Sequence, residues 1–365
     1  KRETVMSGIK NQDGPVAVTG ARGYIGSRIV EDLLQQGYEV HACVRDASNE
    51  KKVNHLLELG KSSVKCNVKL FEGDLFKKGS YDKAFINCST VIHAGATVGF
   101  NRETPQEVYD GCFTENEHVV ESVIKSDSIK RLVFTSSFAA VAHPRPEGYV
   151  FDEKDWCGDN VEAYKGAWST DNISKNRDIA YAMAKANTEK YIYEVAEKDG
   201  NFEAISINPL HVIGPLLTEN HNQFFSWQFF ILQLLKGVNF GSYNGQQVRS
   251  DRMLWNMVDV RDVAKAHRLA AESSNAKNGS RYILSASDTS GEMFTWELQA
   301  KLRELFPHIE NIGGERMERD KPAKTTYDSP RSYCKKAIKE LGLSPIKIED
   351  TLKETGESYE RLGLL

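Results

Sequence analysis

The feature that most constrains the fold of this chain is a glycine-rich loop near its start. Gly20, Gly23 and Gly26 follow the apolar run 16–19 with the spacing Gly-x-x-Gly-x-x-Gly, and a stretch with helical periodicity, 24–36, comes next. A strand, a tight glycine turn and a helix in this order bring free backbone N–H groups and the positive end of a helix dipole to one point. Such a point stabilises an anion, so the loop predicts a site for the pyrophosphate of a dinucleotide.

Beyond this loop the chain alternates short apolar runs with longer amphipathic stretches. The predicted strands are 39–44, 68–71, 91–94, 131–136 and 204–208, and the predicted long helices are 105–126 and 179–197. Strands that alternate with helices form βαβ units with right-handed crossovers, which build a parallel sheet covered by helices on both faces. The sequence therefore predicts an α/β fold with a doubly wound parallel Rossmann sheet.

The alternation breaks after Pro209. Residues 215–255 are rich in aromatic side chains and are interpreted as loop, whereas 286–365 hold two or three amphipathic helices between Pro and Gly residues. The run 258–260, with the helix after it, is interpreted as a return to the main sheet. The predicted divisions are a polar N-terminal extension (1–14), a dinucleotide-binding Rossmann domain (15–214) and a smaller C-terminal α/β substrate domain (215–365), of which 256–285 returns to the Rossmann sheet.

Charge and cysteine usage exclude several classes of protein. Lys plus Arg number 47 and Asp plus Glu 51, which gives a formal net charge of −4. The chain therefore lacks the excess of positive charge that is typical of proteins that bind nucleic acid or an anionic membrane. No run approaches the roughly 20 apolar residues of a membrane span, and residues 1–14 lack the apolar core of a signal peptide. The six cysteines show no Cys-x-x-Cys spacing, which predicts free thiols and no metal site. We expect a cytoplasmic protein, monomeric or homodimeric.

Tyr181 and Lys185 form a Tyr-x-x-x-Lys pair inside the predicted helix 179–197. The i,i+4 spacing puts both side chains on one helix face. An ammonium group stabilises a nearby phenolate, so such a tyrosine can protonate a carbonyl oxygen while the carbonyl is reduced. Ser136 and Ser137 lie at the end of a predicted strand, where a hydroxyl can donate to a substrate oxygen or simply form a turn.

The residues after the second predicted strand indicate which dinucleotide is bound. Arg45 directly follows that strand, at the distance where an arginine accommodates the 2′-phosphate of NADP. Arg22 in the loop and Lys52 in the next helix add positive charge. Asp46 is a contrary signal, because a shift of one residue would make it a ribose ligand for NAD. We predict NADP(H).

These motifs together resemble the extended short-chain dehydrogenase/reductase family. The segment 19–26 is similar to its dinucleotide signature, and 134–141 (Phe-Thr-Ser-Ser-Phe-Ala-Ala-Val) resembles the catalytic-serine strand of dihydroflavonol reductases and related fungal ketone and aldehyde reductases. The segments 91–96, 207–215 and 259–264 extend the resemblance. By this resemblance Ser137 is the catalytic serine, and Tyr181 and Lys185 complete the catalytic group.

The resemblance also implies the residues that contact cofactor and substrate. The implied cofactor-binding residues are Thr19, Gly20, Arg22, Gly23, Tyr24, Ile25, Gly26, Arg45, Lys52, Asp74, Leu75, His93, Ala94, Gly95, Ala96, Pro209, Leu210, His211 and Val212. The implied substrate-pocket residues are Thr97, Phe100 and Phe138, which favour a small apolar or aromatic carbonyl substrate. For His93 and His211, each at a strand end, we favour a packed or hydrogen-bonded role over a catalytic one.

The expected activity is NADPH-dependent reduction of a ketone or aldehyde to an alcohol. Ala142 replaces the asparagine that plant dihydroflavonol reductases use for flavonoid hydroxyls, and 178–182 replaces the Asn-Trp-Tyr-Cys-Tyr block of cinnamoyl-CoA reductases. Both differences argue against those two substrates, and extra length at 157–177 is expected near the mouth of the active site. The alternatives are a hydroxysteroid dehydrogenase, a nucleotide-sugar epimerase or dehydratase, and a non-catalytic protein that senses NADP(H).

Overall fold

The computed structural model describes the chain over most of its length. The described residues are 8–62, 67–96, 104–143, 145, 148–158, 169–224, 226–238, 242–243, 246–247, 254–313 and 331–365. Seven strands build the central sheet: β1 (Val16–Thr19), β2 (Val40–Val44), β3 (Val68–Glu72), β4 (Thr90–His93), β5 (Arg131–Thr135), β7 (Glu203–Pro209) and β12 (Ser280–Leu284). The numbering follows chain order and includes the short strands given below.

The central sheet is parallel and doubly wound. Its strand order is β3-β2-β1-β4-β5-β7-β12, and each neighbouring pair is parallel. The order reverses between β1 and β4, so the chain segments that leave the carboxyl ends of these two strands diverge and leave a crevice. The predicted Rossmann sheet is confirmed, and the glycine loop after β1 lies at this crevice.

Helices cover both faces of the sheet and explain its apolar strands. The flanking helices are α1 (Tyr24–Gln35), α2 (Glu50–Ser62), α3 (Pro105–Ile124), α4 (Arg177–Asp199) and α6 (Val260–Glu272). α1 packs on α6, and α3 packs on α4. Every residue of β1, β2 and β4 is buried, as expected for central strands that are covered from both sides.

The described residues outside the central sheet form smaller sheets and three further α-helices. β8 (His211–Ile213), β11 (Leu254–Asp259) and β13 (Glu292–Phe294) form a three-stranded sheet in which β11 is central. The pairs β6 (Val150–Phe151) with β14 (Arg331–Ser332), and β9 (Ser242–Tyr243) with β10 (Gln246–Gln247), are two-stranded. The helices are α5 (Trp227–Leu235), α7 (Thr295–Leu305) and α8 (Ile348–Arg361). Among the described helices, none is long and apolar enough to cross a membrane.

Two segments differ from the sequence prediction. Residues 227–235, predicted as loop, form α5, which is apolar around most of its circumference and therefore lacks the one-sided pattern that predicts a helix. Residues 258–259 end β11 in the small sheet, so the expected return of 258–260 to the main sheet is wrong, whereas β12 and α6 do return to it. An apolar run predicts a buried strand but not the sheet that it joins. The domain boundaries themselves stay predictions.

Candidate active site

The glycine loop is packed so tightly that side chains would not fit at two of its glycines. Gly20 has φ +64°, and a Cβ there would lie 2.5 Å from Gly95 Cα and 2.6 Å from Gly95 N. A Cβ at Gly26 would lie 2.2 Å from Gly20 O. Gly23 is the N-cap of α1 and has no side chain that could cap the helix. The first N–H groups of the helix can therefore donate to another acceptor. This geometry fits the pyrophosphate site that the sequence predicts.

Thr19 and His93 join the two strands on either side of the crevice. Thr19 Oγ1 lies 2.5 Å from His93 Nδ1 and accepts the N–H of Gly95 at 3.3 Å. Burial, together with the positive charge of Lys185, lowers the pKa of His93 to about 3. His93 is therefore neutral and hydrogen-bonded inside the sheet edge.

The predicted adenosine side of the site lies beyond β2. Arg45 and Lys52 are exposed, with Arg45 directly after the strand. The carboxylate of Asp46 accepts hydrogen bonds from Ser48 N at 3.0 Å and Ser48 Oγ at 2.7 Å, and these bonds lower the pKa of Asp46. Asp46 is thus engaged in a local turn, while Arg45 and Lys52 present exposed positive charge that suits a ligand phosphate.

The residues after β3 face the same crevice. Asp74 Oδ1 accepts the N–H of Phe76 at 3.1 Å and so closes a local turn, while Leu75 is buried. A Cβ at Gly95 would lie 3.4 Å from Leu75 Cδ1, so the two loops are in contact. Among the other predicted cofactor residues at this edge, Arg22, Ile25 and Ala94 are half-buried and Ala96 is exposed.

Tyr181 and Lys185 lie in the first half of α4, on the face turned to the sheet edge. Lys185 is 6% exposed, and its Nζ lies 5.8 Å from the centre of the Tyr181 ring and donates to Thr135 O at 3.5 Å. Burial acts to lower the pKa of Lys185, but attraction to Tyr181, Cys112, Glu115 and Glu189 outweighs it, so the pKa lies above its ordinary value. The lysine is therefore held as an ammonium ion beside the phenol ring.

The two serines after β5 have different environments. Ser136 is buried, and its Oγ donates to the carboxylate of Glu189 in a short hydrogen bond. Ser137 is half-buried, its Oγ accepts the N–H of Ala139 at 3.1 Å, and its carbonyl oxygen accepts from Asn208 Nδ2 at 3.1 Å. Among the described residues Ser137 Oγ accepts this one bond and donates none, so its proton is available to an outside acceptor. The geometry favours Ser137 over Ser136 as a substrate ligand.

Several predicted site residues pack inside the protein. Tyr24 donates its hydroxyl to Gly214 O at 2.8 Å, and Pro209, Leu210 and Val212 are buried. His211 accepts the N–H of Asn256 at 3.0 Å, and its ring lies 4.0 Å from that of Trp227. The interpretation of His211 as a packed histidine agrees with this geometry.

The predicted substrate pocket is only partly described. Phe138 is 6% exposed and packs edge-on against Phe151, so most of its ring faces other side chains. Thr97, Phe100 and residues 159–168 of the extra segment lie outside the described residues. Ile173, farther along that segment, packs in one apolar cluster with Tyr181, which brings this part of the segment to the predicted catalytic tyrosine.

A buried polar group behind the serines was missed by the sequence analysis. Glu189 binds Ser136, Asn208 and Arg281. A signal was present, because Glu189 follows Lys185 by four residues and so lies on the same inward face of α4. A carboxylate on an inward helix face requires buried partners.

A histidine pair beneath the glycine loop was also missed. Ser27 Oγ lies 3.0 Å from His55 Nε2 and 3.3 Å from His221 Nε2, and His221 Nε2 also lies 3.3 Å from Arg22 O. Burial, together with the positive charge of Arg22, lowers the pKa of His55 to about 4. Burial, together with His55, lowers the pKa of His221 to about 3. Neutral His221 thus ties the turn at 219–221 to the loop at Arg22, and neutral His55 ties α2 to Ser27 on α1.

Comparison with known proteins agrees with this fold and gives the family of the chain. Residues 16–284 match the model of the NAD dependent epimerase/dehydratase family. A cinnamoyl-CoA reductase, CAD2 from Medicago truncatula, is 33% identical over 355 residues, 96% of this chain and 97% of that protein. A dihydroflavonol 4-reductase from Gerbera hybrida is 35% identical over 286 residues, 76% of this chain and 70% of that protein.

Solved structures share the fold at lower identity. Gre2 from Candida albicans superimposes with a TM-score of 0.76 at 24% identity, covering 96% of this chain and 99% of that one. Vestitone reductase from alfalfa superimposes with a TM-score of 0.71 at 23% identity, covering 96% of this chain and 100% of that one.

The fold and the site together define an oxidoreductase of the extended short-chain dehydrogenase/reductase class. Its features are a doubly wound sheet, a glycine loop at the crevice of that sheet, and a helix beside it that carries Tyr-x-x-x-Lys. The chain belongs to the NAD dependent epimerase/dehydratase family, in which its relatives are dihydroflavonol reductase-like enzymes. The family predicted from the motifs is therefore confirmed, and membership supports the prediction of an NAD(P)-dependent oxidoreductase.

Proposed function

We propose that this protein is an NADPH-dependent reductase that converts a ketone or aldehyde carbonyl to an alcohol. The observation that carries the proposal is the arrangement at the carboxyl edge of the sheet: Lys185 Nζ lies 5.8 Å from the Tyr181 ring, next to the turn that presents Ser137. A phenol beside an ammonium ion, near a turn that carries a serine hydroxyl, supplies the groups that the protonation of a carbonyl oxygen requires.

The cofactor residues of this proposal are those whose geometry fits a dinucleotide phosphate. The uncapped N-terminus of α1 is suited to the pyrophosphate, and exposed Arg45 is suited to a 2′-phosphate because Asp46 is held by Ser48. A solved relative in fold, yeast methylglyoxal/isovaleraldehyde reductase Gre2, is described as complexed with NADPH, which supports the same choice here. When bound, the reduced nicotinamide supplies the hydride.

The side chains of this protein supply the proton and stabilise the developing charge. Tyr181 donates its phenolic proton to the substrate oxygen, and the Lys185 ammonium ion stabilises the phenolate that remains. Ser137 donates its hydroxyl proton in a hydrogen bond to the same oxygen as negative charge builds on it. Asn208 holds the Ser137 carbonyl at 3.1 Å and so limits the movement of this turn.

For the substrate we propose a small apolar or aromatic carbonyl compound. The relatives in sequence and in fold are named as reductases of dihydroflavonol, vestitone and methylglyoxal or isovaleraldehyde, which supports a carbonyl substrate here. Ala142 brings no hydrogen-bonding side chain to the position where plant dihydroflavonol reductases have asparagine, so we favour substrates without a polyhydroxylated ring system.

NADPH oxidation by the purified protein over a panel of ketones, aldehydes and diketones tests this function. We expect turnover with at least one apolar or aromatic carbonyl and an alcohol as product. Tight NADPH binding without turnover on any carbonyl would instead favour a sensor. A cofactor that stays bound through gel filtration, with no net oxidation, would favour an epimerase.

Changing Arg45 to alanine is expected to lower the preference for NADPH over NADH by about tenfold or more, which corresponds to about 1.4 kcal/mol. The reason is that the guanidinium pairs with a 2′-phosphate that NADH lacks. Steady-state kcat/KM with each cofactor measures the preference. Asp46→Asn is the matched control, because a preference that changes with Asp46 and not with Arg45 would reverse the assignment.

A further inference from the structure

The buried carboxylate of Glu189 joins three elements behind the proposed catalytic residues. Glu189 follows Lys185 by about one turn of α4 and is fully buried, with 0% of its surface exposed. Its Oε1 accepts hydrogen bonds from Ser136 Oγ and from Asn208 Nδ2, the latter at 2.5 Å. One carboxylate on the helix therefore holds the carboxyl ends of both β5 and β7.

Arg281 on β12 completes this buried group. Arg281 is 3% exposed, and its Nε donates to Glu189 Oε2 at 2.7 Å. Its Nη1 donates to the carbonyl oxygens of Glu153 at 3.0 Å and Asp155 at 2.6 Å. Its Nη2 donates to Ala140 O at 3.3 Å. The ion pair thus reaches from α4 through β12 to the turn Phe138–Ala140.

The backbone that presents Ser137 is held at both ends by this group. Asn208 Nδ2 donates to Ser137 O as well as to Glu189, and Arg281 holds Ala140 O three residues later. α4 also packs directly against this turn. The hydroxyl of Ser137 and the side chains of α4 therefore share one rigid support.

Stability alone is a poor explanation for an ion pair buried this deeply. Taking two charges out of water costs about as much as their attraction returns, so apolar replacements of such pairs are often neutral or stabilising. Here the hydrogen bonds of the pair converge on the residues that flank Ser137 and on the helix that carries Tyr181. This convergence indicates a role in geometry.

We infer that Glu189, with Arg281 as its partner, is a positioning residue that sets the Ser137 hydroxyl against Tyr181. The inference rests on the proposed reductase function. Glu189 acts through its hydrogen bonds to Ser136 and Asn208 and through its negative charge near Lys185, and it does not touch the substrate. None of the hydrogen bonds described for Glu189 reaches the glycine loop, so we expect its loss to lower turnover more than NADPH affinity.

The test compares Glu189→Gln with Glu203→Gln in the full-length protein. Glu203 pairs with fully buried Arg131 at 3.0 Å, at the amino ends of the same two strands, β5 and β7. Each change removes the carboxylate charge that pairs with a buried arginine, so both changes are expected to lower Tm. At a temperature where both variants are folded, we expect Glu189→Gln to lower kcat per NADPH-binding site by about tenfold to a hundredfold. We expect its NADPH Kd, and the kcat of Glu203→Gln, to stay near the wild-type values.

A second variant separates geometry from charge burial. Glu189→Gln combined with Arg281→Met removes both charges, which is expected to return Tm towards the wild-type value while kcat stays low. Equal kcat in Glu189→Gln and Glu203→Gln would overturn the positioning role, as would recovery of kcat together with Tm in the double variant. If the wild-type protein failed to oxidise NADPH with any of the carbonyl compounds, the proposed function would be overturned, and this role with it.

Discussion

Replacing Tyr181 with phenylalanine is expected to lower the kcat of carbonyl reduction by about a hundredfold to ten-thousandfold. The change removes the phenolic proton and leaves the ring, so its packing against the apolar cluster that contains Ile173, and the position of Lys185, should be kept. Because Tyr181 lies on α4 and the glycine loop lies after β1, NADPH affinity should change little. Stopped-flow reduction at saturating NADPH gives the rate, and NADPH fluorescence titration gives the Kd.

Tyr191→Phe is the matched control for this prediction. Tyr191 lies on the same helix and packs against Phe113, with ring centres 5.0 Å apart, on the apolar cluster beside β5. Removing its hydroxyl should leave kcat at the wild-type value. If Tyr181→Phe retained the wild-type rate, Tyr181 would not be the proton donor and the proposed chemistry would fail.

The parts of this fold that local pattern determines were predictable. Residues 24–36 were predicted as a helix and form Tyr24–Gln35, because one apolar stripe and the glycines on either side define both ends. The pair of Tyr181 and Lys185 follows from helix geometry alone, since an i,i+4 spacing brings two side chains together wherever the helix lies.

The parts that long-range contacts determine were not predictable. Ser136 and Ser137 are adjacent residues of the same type. They differ because Ser136 donates to the carboxylate of Glu189, which lies 53 positions farther along the chain on α4. Arg281 reaches that carboxylate from 92 positions farther along the chain. No pattern within one segment reports such a contact. The local turn at Asp46 was also missed, although a signal was present, because an Asp two residues before a Ser is typical of such a turn.

Changing Gly20 to alanine is expected to weaken NADPH binding by about a hundredfold or more, which corresponds to about 2.7 kcal/mol. Two effects combine. The backbone at Gly20 has φ +64°, where a Cβ costs roughly 1–2 kcal/mol, and the added carbon would lie 2.5–2.6 Å from the backbone of Gly95. Since neither backbone can move without separating the loops after β1 and β4, the phosphate-binding turn should lose its shape. Isothermal titration with NADPH measures the change.

Gly200→Ala distinguishes crowding from backbone strain. Gly200 ends α4 with φ +74°, nearly the same conformation, but a Cβ there would meet nothing within 4 Å. This variant should therefore lose about 1 kcal/mol of stability through strain and keep its NADPH affinity. If Gly20→Ala and Gly200→Ala bound NADPH equally well, close approach of the loop to β4 would not be what forms the site. A large loss at Gly20 alone would mean that the crevice between β1 and β4, and not glycine flexibility in general, holds the dinucleotide.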